Sequence, residues 1–176
     1  MRTLGIVLAG GRSSRFGSDK AEAMLAGRRL LDHAIAALSP HCDEVAVAGR
    51  ASAPLLSLAD RPRSGLGPLG GLAAALHHAA TRGFEQVLSI PVDCAALPPD
   101  IRAMLEPAPS YLASQPVIGL WPATASSRID DLLAGSGSRA MRAFAEAIGA
   151  REVASGFAFP NINTRDDLAA LSGTPE

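Results

Sequence analysis

The chain has 176 residues, 48% of them apolar and 19% charged, with a formal net charge of -1. That length is enough for one unit with a substantial core over residues 1–176, and the composition excludes a disordered chain. The near-neutral balance excludes the basic field expected of a nucleic-acid or membrane-surface binder, and no apolar run approaches the roughly 18 residues of a membrane span.

In chain order, "TLGIVLA" (Thr3–Ala9) is predicted as a fully buried strand. It runs straight into "LAGGRSSRFGSDK" (Leu8–Lys20), a loop of paired glycines, two arginines and a lysine, and the next helical pattern starts only near Arg28. From there Leu30, Leu31, Ala34, Ile35 and Leu38 share one helical face that ends before Pro40. "EVAVAG" (Glu44–Gly49) is a second buried strand. "GPLGGLAAALHHAA" (Gly67–Ala80) is a small-residue helix with proline in its first turn. "QVLSIPVD" (Gln86–Asp93) is a third strand broken by Pro91, followed by a short helix near Pro99–Leu105. "VIGLW" (Val117–Trp121) is a fourth strand, Ser138–Gly149 an amphipathic helix, and "REVA" a further short strand. "NTRDDLAAL" closes the chain as a helix with Thr164 as N-cap and Asp167 in the first turn. There is no internal repeat, and the one linker-like stretch is "AGSGS" near Gly135.

Strands alternating with helices predict a three-layer α/β fold with a mainly parallel central sheet. Ligands of such sheets sit beyond the carboxyl ends of the strands, and the signature loop, "DRPRSGLGPLGG" and "PVD" all fall on that side. Two isolated cysteines, Cys42 and Cys94, form no CxxC or disulfide framework, and the chain starts without a cleavable signal pattern, so a reducing cytosol is expected. His33, His41, His77 and His78 lack zinc spacing and are read as structural or surface residues. Cys94 is read as a small buried filler and Trp121 as core or pocket wall.

The glycine-rich loop is neither a P-loop, because Gly11 and Gly17 are spaced wrongly and Ala21 follows Lys20, nor a GxGxxG dinucleotide fingerprint. Glycines that let backbone approach a guest, beside fixed positive charges, point to an anion. A carboxylate ending a strand after Pro91 is a suitable hard oxygen donor for Mg²⁺, Lys20 a compact point charge, and Arg15 a bidentate grip on phosphate oxygens. Solvation of Arg12 and Arg15, a turn-capping role for Asp93 and a solvated-loop role for Asp60 are the structural alternatives.

"LAGGRSSRFGSDK" resembles the LAGGxSxRMGxDK signature of nucleotidyltransferases acting on small phosphorylated acceptors. With "GLGPLGGL", "PVDCAALP" and "NINT" before an acidic helix, the chain resembles the MobA-like nucleotidyltransferase family, in particular its molybdenum cofactor guanylyltransferases, from Leu4 to about Leu171. The resemblance implies a Rossmann-like nucleotidyltransferase fold and transfer of GMP from GTP, with Mg²⁺, onto the phosphate of molybdenum-molybdopterin, releasing pyrophosphate. It implies that the backbone of Leu8, Ala9, Gly10 and Gly11 holds the guanine or ribose and that Arg15 and Lys20 neutralise the triphosphate. Asp93 would coordinate magnesium, and Asp60 would meet guanosine or metal. Asn161 and Asn163 either touch the pterin phosphate or only organise the start of the last helix. Gly10, in "LAGG" rather than "LAAG", goes in the resemblance with guanine. Transient contacts with cofactor-delivery proteins or molybdoenzymes are expected; nucleic acid and membrane are not.

The chain departs from the family pattern at four places. Phe16 replaces methionine, Gln115 stands where histidine is usual, and "VAVAGR" lacks an asparagine. Pro107–Gln115 is also so short that the strand and turn usual there look trimmed. Two rivals follow: a nucleotidyltransferase using CTP or another phosphorylated acceptor, and a non-catalytic nucleotide-binding adaptor.

Overall fold

The computed structural model describes residues 1–10, 19–51, 53–157, 159 and 162. The predicted loop residues Gly11, Arg12, Arg15 and Phe16, the asparagines Asn161 and Asn163, and the closing helix from Thr164 lie outside the described residues.

The strand expected at the start is β1 (Thr3–Leu8), buried at every position. Its two faces feed two cores, as a strand period of two requires. Leu4, Ile6 and Leu8 face one core, and Val7 faces the other. A 3₁₀ turn (Lys20–Glu22) and a small hairpin, β2 (Met24–Leu25) and β3 (Arg28–Arg29), precede α1 (Leu30–Leu38). None of the three was foreseen, because elements of two or three residues carry no periodicity to read. β4 (Glu44–Ala48) matches the second predicted strand, whereas β5 (Leu56–Leu58) is new. α2 (Pro68–Arg82) starts at Pro68 as proline's fixed φ favours, and it ends on the left-handed Gly83. β6 (Gln86–Pro91) is the third predicted strand, with Pro91 as its last residue, and α3 (Ile101–Leu105) is the short helix after it.

Between α3 and the fourth predicted strand the expectation needs correction. Pro107–Gln115 is short but keeps both elements: β7 (Ser110–Leu112) is followed by a tight turn into β8 (Gln115–Pro122). The strand escaped notice because three residues suffice once β8 and β9 (Arg151–Val153) supply its ladder on either side. α4 (Ser126–Ala134) was also missed, with only Ile129 and Leu133 buried along it. α5 (Met141–Ala147) is the predicted amphipathic helix in shorter form.

The large sheet has the order β5-β4-β1-β6-β8-β7-β9. β5, β4, β1 and β6 are parallel neighbours; β8 is antiparallel to β6 and β7, and β9 runs parallel to β7. β8 therefore runs against the rest, and the sheet is mainly parallel as expected. α2, α4 and α5 cover one face, over a core with Leu69, Leu72, Leu76, Trp121 and Phe144. α1 and α3 cover the other, with Leu31, Leu38, Leu88, Ile90 and Ile101. Trp121 is fully buried, stacked at 6.4 Å from Tyr111 and tilted against Phe144 at 5.4 Å. Its indole N–H donates to Ser89 Oγ at 2.8 Å, so the core reading of this tryptophan holds. No described helix is long and apolar enough to cross a membrane.

Candidate functional site

Strand register brings three strand ends together. Leu8 lies opposite Ala48 on one side and Pro91 on the other. The pairing continues past the strand ends, with Ala9 N donating to Ala48 O at 3.0 Å and Val92 N to Leu8 O at 3.2 Å. Gly10, Gly49 and Asp93 therefore emerge side by side at the carboxyl edge of β4, β1 and β6, where ligands of parallel sheets bind.

Two of these backbones cross in contact. A Cβ on Gly49, whose φ is +82°, would lie 2.3 Å from Gly10 Cα and 2.5 Å from Gly10 N. Conversely, a Cβ on Gly10 would lie 2.9 Å from Gly49 Cα. The crossing by itself calls for glycine at position 10.

Asp60 follows β5 and folds back over the first turn of α2. A Cβ on Gly70 would lie 3.2 Å from Asp60 Cβ, and one on Gly10 would lie 3.6 Å from Asp60 Oδ2. Arg61 N donates to Gly70 O at 3.0 Å and ties the segment there. Asp60 thus lies beside Gly10 at the start of the signature loop. Burial raises its carboxyl above the ordinary aspartate value.

Lys20 and Asp93 meet from far apart in the chain. Lys20 Nζ donates to Asp93 Oδ2 at 2.7 Å, and the two side chains are 16% and 13% exposed. The turn-cap alternative for Asp93 finds no support here. The turn after β6 is closed by backbone, Cys94 N to Pro91 O at 3.0 Å, while the carboxylate is engaged by the lysine. Asp19 caps the 3₁₀ turn that carries Lys20, accepting from Ala21 N at 3.1 Å, and Ala21 is buried as its anchor.

Sequence reasoning missed Arg50, which follows Gly49. Its Nη1 donates to both carboxylate oxygens of Asp19, at 2.8 and 2.7 Å, and its Nη2 to Glu22 Oε1 at 2.8 Å. The only signal was a basic residue at the end of "VAVAGR", with nothing to say which acids it would meet.

Among the described residues no cluster of three or more His, Cys, Asp or Glu side chains is placed to hold a metal ion. Two of the histidines hold structural bonds: His33 Nε2 bonds the Leu25 carbonyl at 2.8 Å and His77 Nε2 bonds Asp130 at 2.8 Å. Cys94 is buried beside Asp93, and its thiol is pushed up to about 12 by burial, which suits a filler rather than a nucleophile.

The fold is a three-layer α/β architecture with its candidate site at the carboxyl edge of the parallel strands. Residues 5–154 match the MobA-like NTP transferase domain, and the chain belongs to that family. It is 39% identical to the molybdenum cofactor guanylyltransferase of Acidiphilium cryptum, over 94% of this chain and 91% of that protein. It is 38% identical to the protein of the same name from Rhizobium leguminosarum bv. trifolii, over 94% and 89%. Its fold matches the crystal structure of molybdopterin-guanine dinucleotide biosynthesis protein A from Archaeoglobus fulgidus with a TM-score of 0.75, at 20% identity, covering 97% of this chain and 96% of that one.

Proposed function

We propose that the protein transfers GMP from GTP to the terminal phosphate of molybdenum-molybdopterin. An acceptor phosphate oxygen attacks the α-phosphorus of GTP, the bond to the bridging oxygen of the β-phosphate breaks, and pyrophosphate leaves. The names of the relatives support the substrates. The observation that carries the reading is the Lys20–Asp93 pair at 2.7 Å beyond the carboxyl ends of parallel strands. A cation and a hard oxygen ligand stand together where a triphosphate would lie.

Nucleotidyl transfer needs charge neutralised and reacting oxygens held in line more than it needs covalent chemistry. Asp93 would hold Mg²⁺, which when bound supplies charge neutralisation on the phosphates. Lys20, with Arg15, follows the negative charge as it passes onto pyrophosphate. The backbone of Leu8 to Gly11 and the carboxylate of Asp60 take the nucleoside, and Asn161 and Asn163 the acceptor side. A cytosolic location, a single unit and transient contacts with delivery proteins or molybdoenzymes go with this reading.

The test is pyrophosphate release with molybdenum-loaded molybdopterin and GTP, CTP or ATP. GTP should be preferred; equal or better use of CTP would move the chain to the cytidylyl branch. Lys20→Ala and Asp93→Asn should each lower turnover by about 10²- to 10³-fold while melting within a few degrees of the parent. Nucleotide binding without pyrophosphate release would make the chain an adaptor.

A further inference from the structure

We infer that Arg50 is a positioning residue for Lys20, an inference that rests on the role proposed above for that lysine. Lys20 lies in one 3₁₀ turn between two acids, Asp19 and Glu22, and the Arg50 guanidinium holds both. The grip is asymmetric in exposure. Arg50 is 17% exposed at its side chain while Asp19 and Glu22 are 51% and 45% exposed. Ordinary surface ion pairs join two mobile side chains and contribute almost nothing. Here one partner is anchored, and the other two belong to the element that has to be held.

Arg50 is itself tied down. It follows Gly49, whose N–H donates to Leu58 O at 3.2 Å, and its own carbonyl accepts from the Ser57 hydroxyl. The arginine therefore transmits the position of the β4–β5 edge to the turn carrying Lys20. From the other side, Lys20 reaches Asp93 at the end of β6. The two links fix the turn between the strands that flank β1. Arg50 Nε is buried with no partner among the described residues, and the polar contacts of its side chain there are those to the two acids.

A lysine that must follow charge moving from the α-phosphate to pyrophosphate tolerates little error in place. A displacement of about 1 Å costs about a hundredfold in a well-aligned site. The hydrogen bonds and ion pairs of the Arg50 side chain go to Asp19 and Glu22 and not to Lys20 or Asp93, so its effect passes through the turn.

The experiment is a double-mutant cycle on steady-state turnover of GTP and molybdenum-loaded molybdopterin, with thermal melts of every variant. Arg50→Ala in the parent should lower kcat/KM by about 10- to 100-fold, mostly in kcat. In the Lys20→Ala background the same change should cost less than about threefold, because the group it positions is gone. Arg50→Lys should recover part of the loss, since one ammonium can hold one acid but not fork across two. Should Arg50→Ala fail to fold, Asp19→Asn with Glu22→Gln keeps the N-cap acceptor, removes both charges and should give the same non-additivity. Normal turnover of Arg50→Ala, or equal fold-losses in the two backgrounds, overturns the inference and leaves the role of Lys20 standing. Normal turnover of Lys20→Ala removes the proposed function of the lysine and this inference with it.

Discussion

Asp60 carries its charge in a place that resists it. The carboxyl is half-buried against Gly10, Gly70 and Gly71, and burial raises its pKa despite the nearby amino end of α2. A carboxyl raised in the folded state binds protons more tightly there than in the unfolded chain. Its contribution is therefore most favourable below the unfolded value of about 3.9 and turns against folding as pH rises through the folded value. Asp60→Asn should raise the melting temperature modestly at pH 7, and the advantage should shrink as pH falls towards 4. Nucleotide affinity should fall in the same variant if Asp60 meets guanosine. A lower melting temperature at pH 7 would mean that the carboxylate has a stabilising partner. Asp93 stood out at this scale because "PVD" sets an acid at a strand end, whereas Asp60 was singled out only through the family resemblance. What Asp60 touches was not legible, since Gly10 lies fifty positions earlier in the sequence.

At the scale of elements, β8 illustrates how one small residue serves a large one. A Cβ on Gly119 would fall 2.3 Å from Trp121 Cζ2 and 2.9 Å from Ser110 O. The indole lies over Gly119 on the same strand face and is held by Ser89. Replacing a strand glycine by alanine ordinarily gains roughly 0.5–1 kcal/mol. Overpacking a dense core costs roughly 1–3 kcal/mol, and neither a clamped ring nor a backbone carbonyl can give way cheaply. Overpacking wins, so Gly119→Ala should destabilise by about 2 kcal/mol. Denaturant melts followed by fluorescence would check this directly, because Trp121 is the one tryptophan in the chain. A neutral or stabilising result would mean that the ring turns aside without loss. Sequence patterning found the strand and its buried tryptophan from "VIGLW" but could not find β7. That strand exists only because β8 and β9 offer it hydrogen bonds on both sides.

On the scale of the whole molecule, the proposed nucleotide site draws on three strands, the turn bearing Lys20 and the loop before α2. A ligand held by all of them stabilises the folded state as a unit. At a hundred times its dissociation constant a ligand adds about 2.7 kcal/mol. For a chain of this length 1 kcal/mol is worth about 2–4 °C, so GTP with Mg²⁺ should raise the melting temperature by about 5–11 °C. CTP and ATP at equal concentration should raise it less, and a thermal-shift series settles the order. An equal or larger shift with CTP would contradict the guanine preference.

The alternation of buried strands with amphipathic helices, and so the three-layer architecture, was determined by the sequence itself. Hydrophobic period and turn residues are local properties, and β1, α2 and β6 are long enough to express them. The signature loop, Lys20 and Asp93 could be singled out as candidates, because residue types and order are local properties of the sequence. Only the tertiary structure decided that Lys20 closes on Asp93, that Gly10 is required by a backbone crossing with Gly49, and that Arg50 grips the acids on either side of the lysine. Each of these contacts joins segments far apart in the chain. Whether such segments meet depends on the register of β4 and β6 against β1, and register is a property of paired strands that no single stretch of sequence contains.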